Sequence, residues 1–590
     1  MSVWRGSQAR VALAVIAVMT IWRGVLLDGS FFNQDDYYLS GRAYTSDLTW
    51  GYLFRDTAGH VNPAQQLVYW LVAHGAAYDW RVVATFVLAL QVLATVVMWH
   101  VLTRLLPGRW VRVPLLAAFA WSPLSLMTTL WWSAAMGLWP HLVCSLLAVL
   151  FLIRVRQHAG ATWLNYVVIV AVTLLGLSWH ERAVLIAPVL LATAVTLADE
   201  AVGWRRIPAA LKRYWPLWVS LAILLAGYLV AHSSLTSVEG GSNDPSESLA
   251  IAWAYVGQNV VPGMASGPWG ATLRGGAVEP YLWVTITSGL LVVLAAGLLL
   301  WRGGPARRWA LAFFVAYVLA DLLLVLAGRG GFGRLIGLDP RYSSDVIHAA
   351  VLCVALALRG ASAGYGFRLP ARVTWTRARS VVLMAATAAY VWGAVVGSAT
   401  LVPHFQNVED RVYLTNLRGD LAADPNQVIV DALAPADIVL PLVGEDSLLS
   451  ALLAPLPAAP VFDEPSARMR TVSKDGRLVE VTLDGSIPMR PGPVYDCGYD
   501  VKAAPTRIPL AVEIAGRVVV HLSYFTDTEA TVAVSVGSWQ ETFLARSGPN
   551  EMWFVIPDLG DAVTALYLQV EGPSTVCVNQ LEVGLPEAAE

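Results

Sequence analysis

The chain has 590 residues, of which 56% are hydrophobic and 14% are charged, and its formal net charge is −3. Soluble proteins carry about a quarter charged residues, so this composition excludes an ordinary soluble domain and is typical of a protein embedded in a lipid bilayer. This net charge does not distinguish between partners, and no basic stripe in the sequence indicates a nucleic-acid partner.

Eleven apolar runs approach the roughly 20 residues that a membrane-spanning helix needs. The sequence therefore predicts an α-helical membrane protein with about eleven spans. A further run, 62–78, is either a twelfth span or a helix that lies along the membrane surface. The eleven runs are 11–27, 81–105, 111–129, 135–153, 163–180, 183–199, 214–232, 282–301, 309–327, 342–359 and 380–400.

The distribution of basic residues orients these spans. Arg5 and Arg10 precede the first run and no acid does, so the positive-inside rule places the N-terminus in the cytoplasm. With eleven spans, nineteen Arg and Lys residues fall on the cytoplasmic side and eight in external loops. This asymmetry supports a surface position for 62–78 and places the C-terminus outside. Abundant Arg, Ala, Val and Leu beside very little Lys are typical of a high-GC bacterial genome, so the expected location is a bacterial plasma membrane.

The first external loop begins with two adjacent carboxylates, Asp35 and Asp36, directly after the first span. Charged groups beside lipid are costly, so they are usually kept for function. Adjacent carboxylate oxygens also suit a divalent cation such as Mg²⁺, Mn²⁺ or Ca²⁺. Alternatively, Asp36 caps a short helix that begins at Tyr37.

Other polar groups gather at the external ends of later spans: one before run 62–78, three after the fifth span and two at the start of the tenth. Because external loops of a helical bundle often carry function, we take these groups as candidate site residues. They are His60, His180, Glu181, Arg182, Arg341 and Tyr342.

Each of these groups also has a structural interpretation. His60 is then an ordinary loop residue, residues 181–182 are an interfacial ion pair, and Arg341 anchors lipid headgroups at a span end. Inside the spans, Asp321 of the ninth is expected to pair with Arg23 of the first.

The sequence changes character after residue 402, where hydropathy falls and short β-branched runs alternate with turn residues. This pattern predicts a membrane domain at 1–402 and an extracytoplasmic domain at 403–590, with an antiparallel β-sandwich from about residue 470. The predicted strands are 427–431, 437–442, 478–483, 517–524, 530–536, 541–545, 552–556, 565–570 and 575–583.

Two of the four cysteines, Cys497 and Cys577, fall in the extracytoplasmic domain, where an oxidising compartment permits a disulfide. The alternative is two free, buried thiols. Cys144 and Cys353 fall inside spans and are expected to be packing residues.

Taken in order, these motifs resemble the GT-C superfamily of integral membrane glycosyltransferases, which includes protein O-mannosyltransferases and mycobacterial arabinofuranosyltransferases. The resemblance covers about residues 1–400. It consists of the aspartate pair at 35–36, the His-x-x-Pro at 60–63, a His-Glu pair with a later Pro at 180–188, and the Arg-Tyr at 341–342. The C-terminal sandwich is similar in kind to carbohydrate-binding modules of some members.

The resemblance implies transfer of a sugar from a polyprenyl-phosphate donor to a hydroxyl of an external glycan, glycolipid or protein acceptor. Such a hydroxyl needs a carboxylate to take its proton, and Asp35 is the predicted base. Asp36 is expected to hold Asp35, the acceptor or a divalent cation. Arg341 is expected to bind the departing phosphate as a bidentate fork, with His180 or Arg182 as second partner.

The remaining site predictions concern orientation. Glu181 is expected to orient one of the cations or a sugar hydroxyl, and His60 and Tyr342 are expected to complete the donor site. Trp131, Trp132 and Trp269 are candidates for stacking on sugar rings.

A transporter or flippase of a lipid-linked saccharide is the alternative function. Such a protein should place ionisable groups near mid-membrane and often shows repeated halves. The sequence shows charges at the external ends of the spans and no internal repeat, which favours the transferase. A cell-wall assembly protein with a degenerate membrane anchor is a third alternative, which the intact aspartate pair argues against.

Overall fold

The computed structural model describes residue 4 and residues 6–158, 160–236, 244–301, 304–359 and 377–589. Arg5, which contributes to the predicted orientation, lies outside the described residues.

The membrane part is helical, as its long apolar runs predict. The α-helices of the described ranges are α1 (Ser7–Asp28), α2 (Asp35–Thr45), α3 (Trp50–Leu53), α4 (Pro63–Gly75), α5 (Trp80–Leu105), α6 (Arg112–Trp121), α7 (Leu126–Leu130), α8 (Trp132–Arg156), α9 (Thr162–Trp179), α10 (Ile186–Thr196), α11 (Arg206–Arg213), α12 (Trp215–Leu235), α13 (Pro245–Trp253), α14 (Val261–Met264), α15 (Leu282–Leu300), α16 (Pro305–Arg329), α17 (Arg334–Leu338), α18 (Val346–Arg359), α19 (Arg377–Phe405), α20 (Val408–Ala423) and α21 (Leu449–Leu453).

Nine helical stretches of the described residues are long and apolar enough to cross a membrane, and they match nine of the eleven predicted spans. The prediction of a many-span helical protein is thereby confirmed. The nine are α1, α5, Arg112–Leu130, α8, α9, α12, α15, Pro305–Phe332 and Val381–Ala423.

The other two predicted spans are shorter helices. α10 has 11 residues and α18 has 14, or roughly 16 and 21 Å at 1.5 Å per residue, against about 30 Å of hydrocarbon. The run at 183–199 is shortened because the chain is extended at His180 and forms a 3₁₀-helix over Glu181–Leu185 before α10 begins. Both helices are largely buried, and an apolar run alone does not distinguish a buried helix from a span.

Helix α4 covers most of the ambiguous run 62–78. Its 13 residues reach about 20 Å, which is too short for a span of its own.

The chain divides into two compact units by its internal contacts. Unit 1 comprises residues 1–33 and 46–407, and unit 2 comprises residues 34–45 and 408–590. The division lies close to the boundary expected after residue 402, but it also assigns α2, with Asp35 and Asp36, to unit 2.

Unit 1 also contains the hairpin β1 (Ala271–Arg274) and β2 (Ala277–Pro280). The strands of unit 2 are β3 (Val428–Ile429), β4 (Val461–Phe462), β5 (Met469–Val472), β6 (Leu478–Pro488), β7 (Tyr499–Val501), β8 (Thr506–Ile514), β9 (Val518–Thr526), β10 (Ala530–Val536), β11 (Trp539–Ala545), β12 (Gly548–Ile556), β13 (Val563–Glu571) and β14 (Val576–Ala588).

Unit 2 is built around two sheets, as the alternating sequence pattern predicts. One has the order β11-β10-β13-β8, and the other has β12-β9-β14-β6-β5-β3-β4 with β7 paired to β14. Inward side chains of both sheets form one core, for example Val532 and Leu566 from the first and Val520 and Phe554 from the second. The predicted C-terminal β-domain is therefore confirmed.

The predicted strand at 437–442 is wrong. The backbone N–H groups of Ile438 and Val439 both donate to the carbonyl of Pro435, which makes a turn, and a 3₁₀-helix covers Pro441–Ser447. Pro441 has no N–H to donate to a neighbouring strand, so the β-branched residues here do not extend a sheet.

A disulfide joins Cys497 to Cys577 of β14, beside the point where β7 pairs with the same strand. Cys144 and Cys353 are free and buried.

Candidate functional site

The aspartate pair opens helix α2 in unit 2. Asp36 is fully buried, whereas Asp35 is partly exposed. Because the helix already begins at Asp35, Asp36 lies in its first turn and does not precede a helix that begins at Tyr37. Of the two carboxylates, Asp35 is the one that solvent reaches.

Helix α2 is held firmly within its unit. Arg42 donates to Asp446 through Nε at 3.0 Å and through Nη2. Gly41 packs so closely on the backbone of Ala451 that an added Cβ would overlap the carbonyl oxygen. The partial exposure of Asp35 is thus a property of a well-fixed helix end.

In unit 1, a carboxylate flanked by two imidazoles lies where α9 ends. Glu181 Oε1 is 2.9 Å from His60 Nδ1, and Glu181 Oε2 is 3.4 Å from His180 Nδ1. The Glu181 side chain is 25% exposed. Burial raises its pKa, but His180 and His60 outweigh burial and hold the pKa of Glu181 well below its ordinary value. Glu181 is therefore a carboxylate at neutral pH.

Two contacts position His60. Arg329 Nη2 lies 2.6 Å from His60 Nε2 and donates to it, because a guanidinium has no acceptor. The other ring nitrogen, Nδ1, lies on the side of Glu181, 2.9 Å from Oε1. His60 therefore lies between the Arg329 guanidinium and the Glu181 carboxylate.

His180 is placed by its backbone and by a glycine. Its Nδ1 accepts a hydrogen bond from the backbone N–H of Arg182 at 3.2 Å, so this nitrogen carries no proton. Its ring lies against Gly137 of α8, where an added Cβ would be 2.5 Å from Cδ2 and 3.2 Å from Nε2. Only glycine leaves room for the imidazole in this position.

Arg182 turns away from this carboxylate into the helix bundle. Its Nη1 is 3.3 Å from Asp345 Oδ1 and its Nε is 3.7 Å from Asp321 Oδ1. Both aspartates are fully buried, and the Arg182 side chain is 11% exposed. Tyr255 donates to Asp321, and Tyr317 donates to Asp345 at 2.6 Å. Arg182 is therefore the counter-ion of a buried carboxylate pair.

The expected pairing of Asp321 with Arg23 is wrong. Arg23 donates to the backbone carbonyl of Ser122 at 2.8 Å and lies over the Trp22 ring. Which side chains pair depends on the faces that two helices present to each other. An apolar run in the sequence does not show which residues lie on those faces. The alternative interpretation of 181–182 as an ion pair is also not what the structure has, because Glu181 contacts the histidines and Arg182 contacts the aspartates.

Arg341 and Tyr342 lie beside this network. The backbone carbonyl of Arg341 is 3.4 Å from Arg182 Nη1, and Arg182 lies over the Tyr342 ring at 5.7 Å. The Arg341 guanidinium donates through Nε to Asp339 Oδ2 at 2.8 Å and stacks on the Trp131 ring at 3.8 Å. Its side chain is 25% exposed. Trp131, a candidate for sugar stacking, thus supports this cation.

Six of the eight catalytic and substrate-binding residues predicted from the sequence belong to unit 1, and contacts connect them in two groups that meet at 180–182. His60, His180 and Glu181 form one group, and Arg182, Arg341 and Tyr342 form the other. Asp35 and Asp36 belong to unit 2. Sequence reasoning missed Arg329, Asp345, Tyr255 and Tyr317.

One signal could have revealed the buried network. His141, Asp321 and His348 are ionisable residues inside apolar runs, where they are rare and usually functional or paired. His141 Nε2 is 3.9 Å from Asp345 Oδ2, and His348 Nε2 is 3.3 Å from the Ser145 hydroxyl. The expectation that charges lie only at the external ends of the spans is corrected accordingly.

A metal site is not evident within the described ranges, where no group of three or more His, Cys, Asp or Glu side chains is arranged to hold an ion. The predicted divalent cation on Asp35 and Asp36 stays a prediction.

The close approach of Gly137 to His180 leads to a first testable prediction. Gly137→Ala should displace the His180 ring and destabilise the folded protein by about 1–3 kcal/mol, the usual cost of overpacking a buried position. Gly297→Ala in α15 is the matched control, because an added Cβ there meets nothing within 4 Å. Thermal unfolding measures the difference, and an unfolding midpoint of Gly137→Ala as high as that of Gly297→Ala would contradict this close packing.

The sequence and the fold were compared with those of known proteins. No family model and no curated protein matches the sequence. Among solved structures, the chain is similar to ArnT from Cupriavidus metallidurans in the apo state, with 14% identity and a TM-score of 0.43 over 78% of this chain and 92% of that chain. It is also similar to the arabinofuranosyltransferase AftD from Mycobacteria, with 13% identity and a TM-score of 0.33 over 100% of this chain and 62% of that chain.

Proposed function

We propose that this protein is a membrane glycosyltransferase of the GT-C kind that moves a sugar from a polyprenyl-phosphate donor to a hydroxyl of an external glycan, glycolipid or protein acceptor. The observation that carries the proposal is the convergence of His60, Glu181 and Arg329. Glu181 follows α9 and Arg329 ends α16. Two candidate spans thus bring a carboxylate and a cation together at the ends predicted to be external.

The reaction needs cations where the phosphate departs. A polyprenyl chain keeps its phosphate at the membrane surface, and charge develops on that phosphate as the sugar leaves. Arg329 and Arg341 are partly exposed guanidinium groups at the ends of helical segments, and guanidinium groups bind phosphate as a fork. Asp339 and the Trp131 ring orient Arg341, so little reorganisation is needed on binding.

Glu181 and the two histidines can bind the hydroxyl groups of the sugar. A partly exposed carboxylate beside two imidazole rings offers both acceptors and donors to sugar hydroxyls. Arg182 is buried against Asp321 and Asp345, so its role is to fix the 180–182 segment, and we reassign it from phosphate binding to positioning.

Asp35 keeps the role of base that takes the proton of the acceptor hydroxyl, and its partial exposure supports this role. Addition of a chelator during turnover tests whether the reaction needs a divalent cation at Asp35 and Asp36.

A transporter of lipid-linked saccharides is the second candidate, and one observation favours it. Asp321 lies within α16 and is fully buried with Asp345 and Arg182, and buried ionisable groups among spans often mark transport pathways. A transferase breaks the bond between the sugar and the phosphate of the donor, whereas a transporter moves the donor intact.

The deciding experiment incubates the purified chain in liposomes with polyprenyl-phosphate sugars that differ in the sugar. A transferase releases polyprenyl phosphate when an acceptor is present. Movement of intact donor across the bilayer without release would contradict the proposal and support transport.

Arg341→Lys tests the phosphate fork. Lysine keeps the charge but loses the bidentate geometry and the stacking on Trp131, so the KM for the donor should rise about tenfold while the KM for the acceptor stays the same. Lys212→Arg, at a predicted cytoplasmic site, is a control for a basic exchange. Equal changes in both KM values for Arg341→Lys would rule out a donor-specific role.

A further inference from the structure

Three side-chain oxygen atoms around His60 are buried and accept no hydrogen bond. They are Asn62 Oδ1, Gln66 Oε1 and Glu181 Oε2, and within the described ranges none of them has a donor. Asn62 and Gln66 are only 6% and 5% exposed as whole residues. Buried polar atoms in proteins are usually paired, because an unpaired one loses its water without a replacement. Three such atoms in one region indicate a place for hydrogen-bond donors that the chain itself does not supply.

Both amide groups already use their N–H side, which leaves the oxygen to accept from a ligand. Gln66 Nε2 donates to Thr57 Oγ1 at 3.3 Å, and Asn62 Nδ2 donates to Gln65 Oε1 at 3.4 Å. Asn62 is also the N-cap residue of α4, but its side chain makes no capping hydrogen bond. An asparagine at this position usually caps the helix with its oxygen. The Asn62 oxygen is therefore not used to stabilise α4.

One series of contacts connects Gln66 to the Glu181 carboxylate. Thr57, which accepts from Gln66, exchanges two backbone hydrogen bonds with His60, at 3.0 and 3.1 Å. His60 Nδ1 in turn lies 2.9 Å from Glu181 Oε1. The Gln66 amide and the Glu181 carboxylate are thus held by the same short turn, 57–60.

A second series of contacts connects the start of α4 to His180. Gln65, which accepts from Asn62, donates through Nε2 to the backbone carbonyl of Ser133 in α8 at 3.4 Å. Gly137, against which the His180 ring packs, follows Ser133 by four residues and lies on the same face of α8. One face of α8 and the turn 57–60 therefore hold both α4 and the 180–182 segment, and the three oxygens belong to one region of unit 1.

The chemistry of this group indicates its ligand. Amide and carboxylate oxygens accept hydrogen bonds and do not donate them. A sugar carries several hydroxyl groups that donate, whereas the phosphate of a polyprenyl-phosphate sugar is an anion without a donor. The phosphate would meet only lone pairs and the negative charge of Glu181 here, so the group suits the sugar and not the phosphate.

We propose that Asn62, Gln66 and Glu181 form the subsite that binds the hydroxyl groups of the transferred sugar and that thereby selects among donor sugars. The proposal rests on the proposed function. It adds the two amides to the site as specificity-determining residues, and it directs the sugar towards α4 while the phosphate lies on the side of Arg341.

The first test uses the wild-type chain in nanodiscs and measures binding rather than turnover. Titration calorimetry gives the Kd values of a panel of polyprenyl-phosphate hexoses and pentoses, of polyprenyl phosphate without a sugar, and of the monodeoxy forms of the donor that binds most tightly. We expect at least one monodeoxy form to bind about tenfold more weakly than its parent, because an acceptor oxygen then stays unpaired. Equal affinity of the parent and all its monodeoxy forms would overturn the subsite.

The second test assigns the effect to the amides. Gln66→Leu and Asn62→Leu keep the approximate size of the side chain and remove the acceptor oxygen, so each should weaken binding of the tightest donor about tenfold. Neither should change the affinity for polyprenyl phosphate without a sugar. A monodeoxy donor that lacks the contacted hydroxyl should bind the variant and the wild type equally. Gln91→Leu, at a fully buried glutamine of α5, is the matched control and should bind every lipid like the wild type.

The other outcomes separate the subsite from the proposed function. Equal losses for the sugar donor and for polyprenyl phosphate without a sugar would overturn the subsite and indicate a structural role. Undiminished binding by both leucine variants would also overturn it and leave these oxygens to buried water. A chain that binds as expected but releases no polyprenyl phosphate contradicts the proposed function alone. A chain that turns over while binding stays unchanged in both leucine variants contradicts the subsite alone.

Discussion

Asp35→Asn is expected to lower the turnover number by about 10²- to 10⁴-fold, because it keeps the shape of the side chain and removes the predicted base. The loss should appear in kcat rather than in the KM of the donor, since the amide still fits but does not accept the proton of the acceptor hydroxyl. Steady-state kinetics with a polyprenyl-phosphate sugar measure it.

Asp47→Asn is the matched control. Asp47 is an exposed aspartate of the same predicted external loop, so its amide variant should turn over like the wild type. If Asp35→Asn keeps full turnover, the base is another group, and Glu181 becomes the first candidate.

Arg182→Met is expected to destabilise the folded protein by about 3–5 kcal/mol, which is the usual cost of leaving a buried charge without its partner. Arg182 is the shared counter-ion of Asp321 and Asp345, which have no exposed surface. A thermal or detergent unfolding series measures the loss as a lower midpoint.

Charge balance sharpens this prediction. Asp321→Asn leaves one cation facing one carboxylate and should cost much less than Arg182→Met. The triple variant Arg182→Met/Asp321→Asn/Asp345→Asn removes all three charges and should regain much of the lost stability. If the triple variant is less stable than Arg182→Met alone, charge balance is not what holds this network together.

Features that depend on local pattern could be predicted from the sequence. The strand at 530–536 alternates apolar and polar side chains, and the structure has β10 over the same residues. The long apolar runs became α5, α8 and α15 within a few residues of their predicted ends. The two-residue period decides the strand and its buried face, and the length of an apolar run decides a span-length helix.

Features that depend on which surfaces meet could not be predicted in this way. Asp321 was recognised as unusual, but its partner Arg182 follows from the rotation of α16 and from the 3₁₀-helix after α9. Likewise, Arg329 is one of several external arginines in the sequence, and only the fold brings it to His60.

The six site residues of unit 1 followed from sidedness alone. Polar residues at span ends predicted to face the same side of the membrane, such as His60 and Glu181, do converge in unit 1. Sidedness does not show which of these groups are exposed and which are buried, and this is why Arg182 was expected to bind phosphate.

The most direct test of the account is photo-crosslinking of the full-length chain in nanodiscs with a polyprenyl phosphate that carries a photoreactive group next to the phosphate. The account predicts labelled peptides that contain residues 180–182 or 329–342, with labelling reduced in Arg341→Lys and by excess unlabelled polyprenyl phosphate. Labelling confined to other peptides, or labelling at these residues that excess polyprenyl phosphate does not reduce, would contradict it.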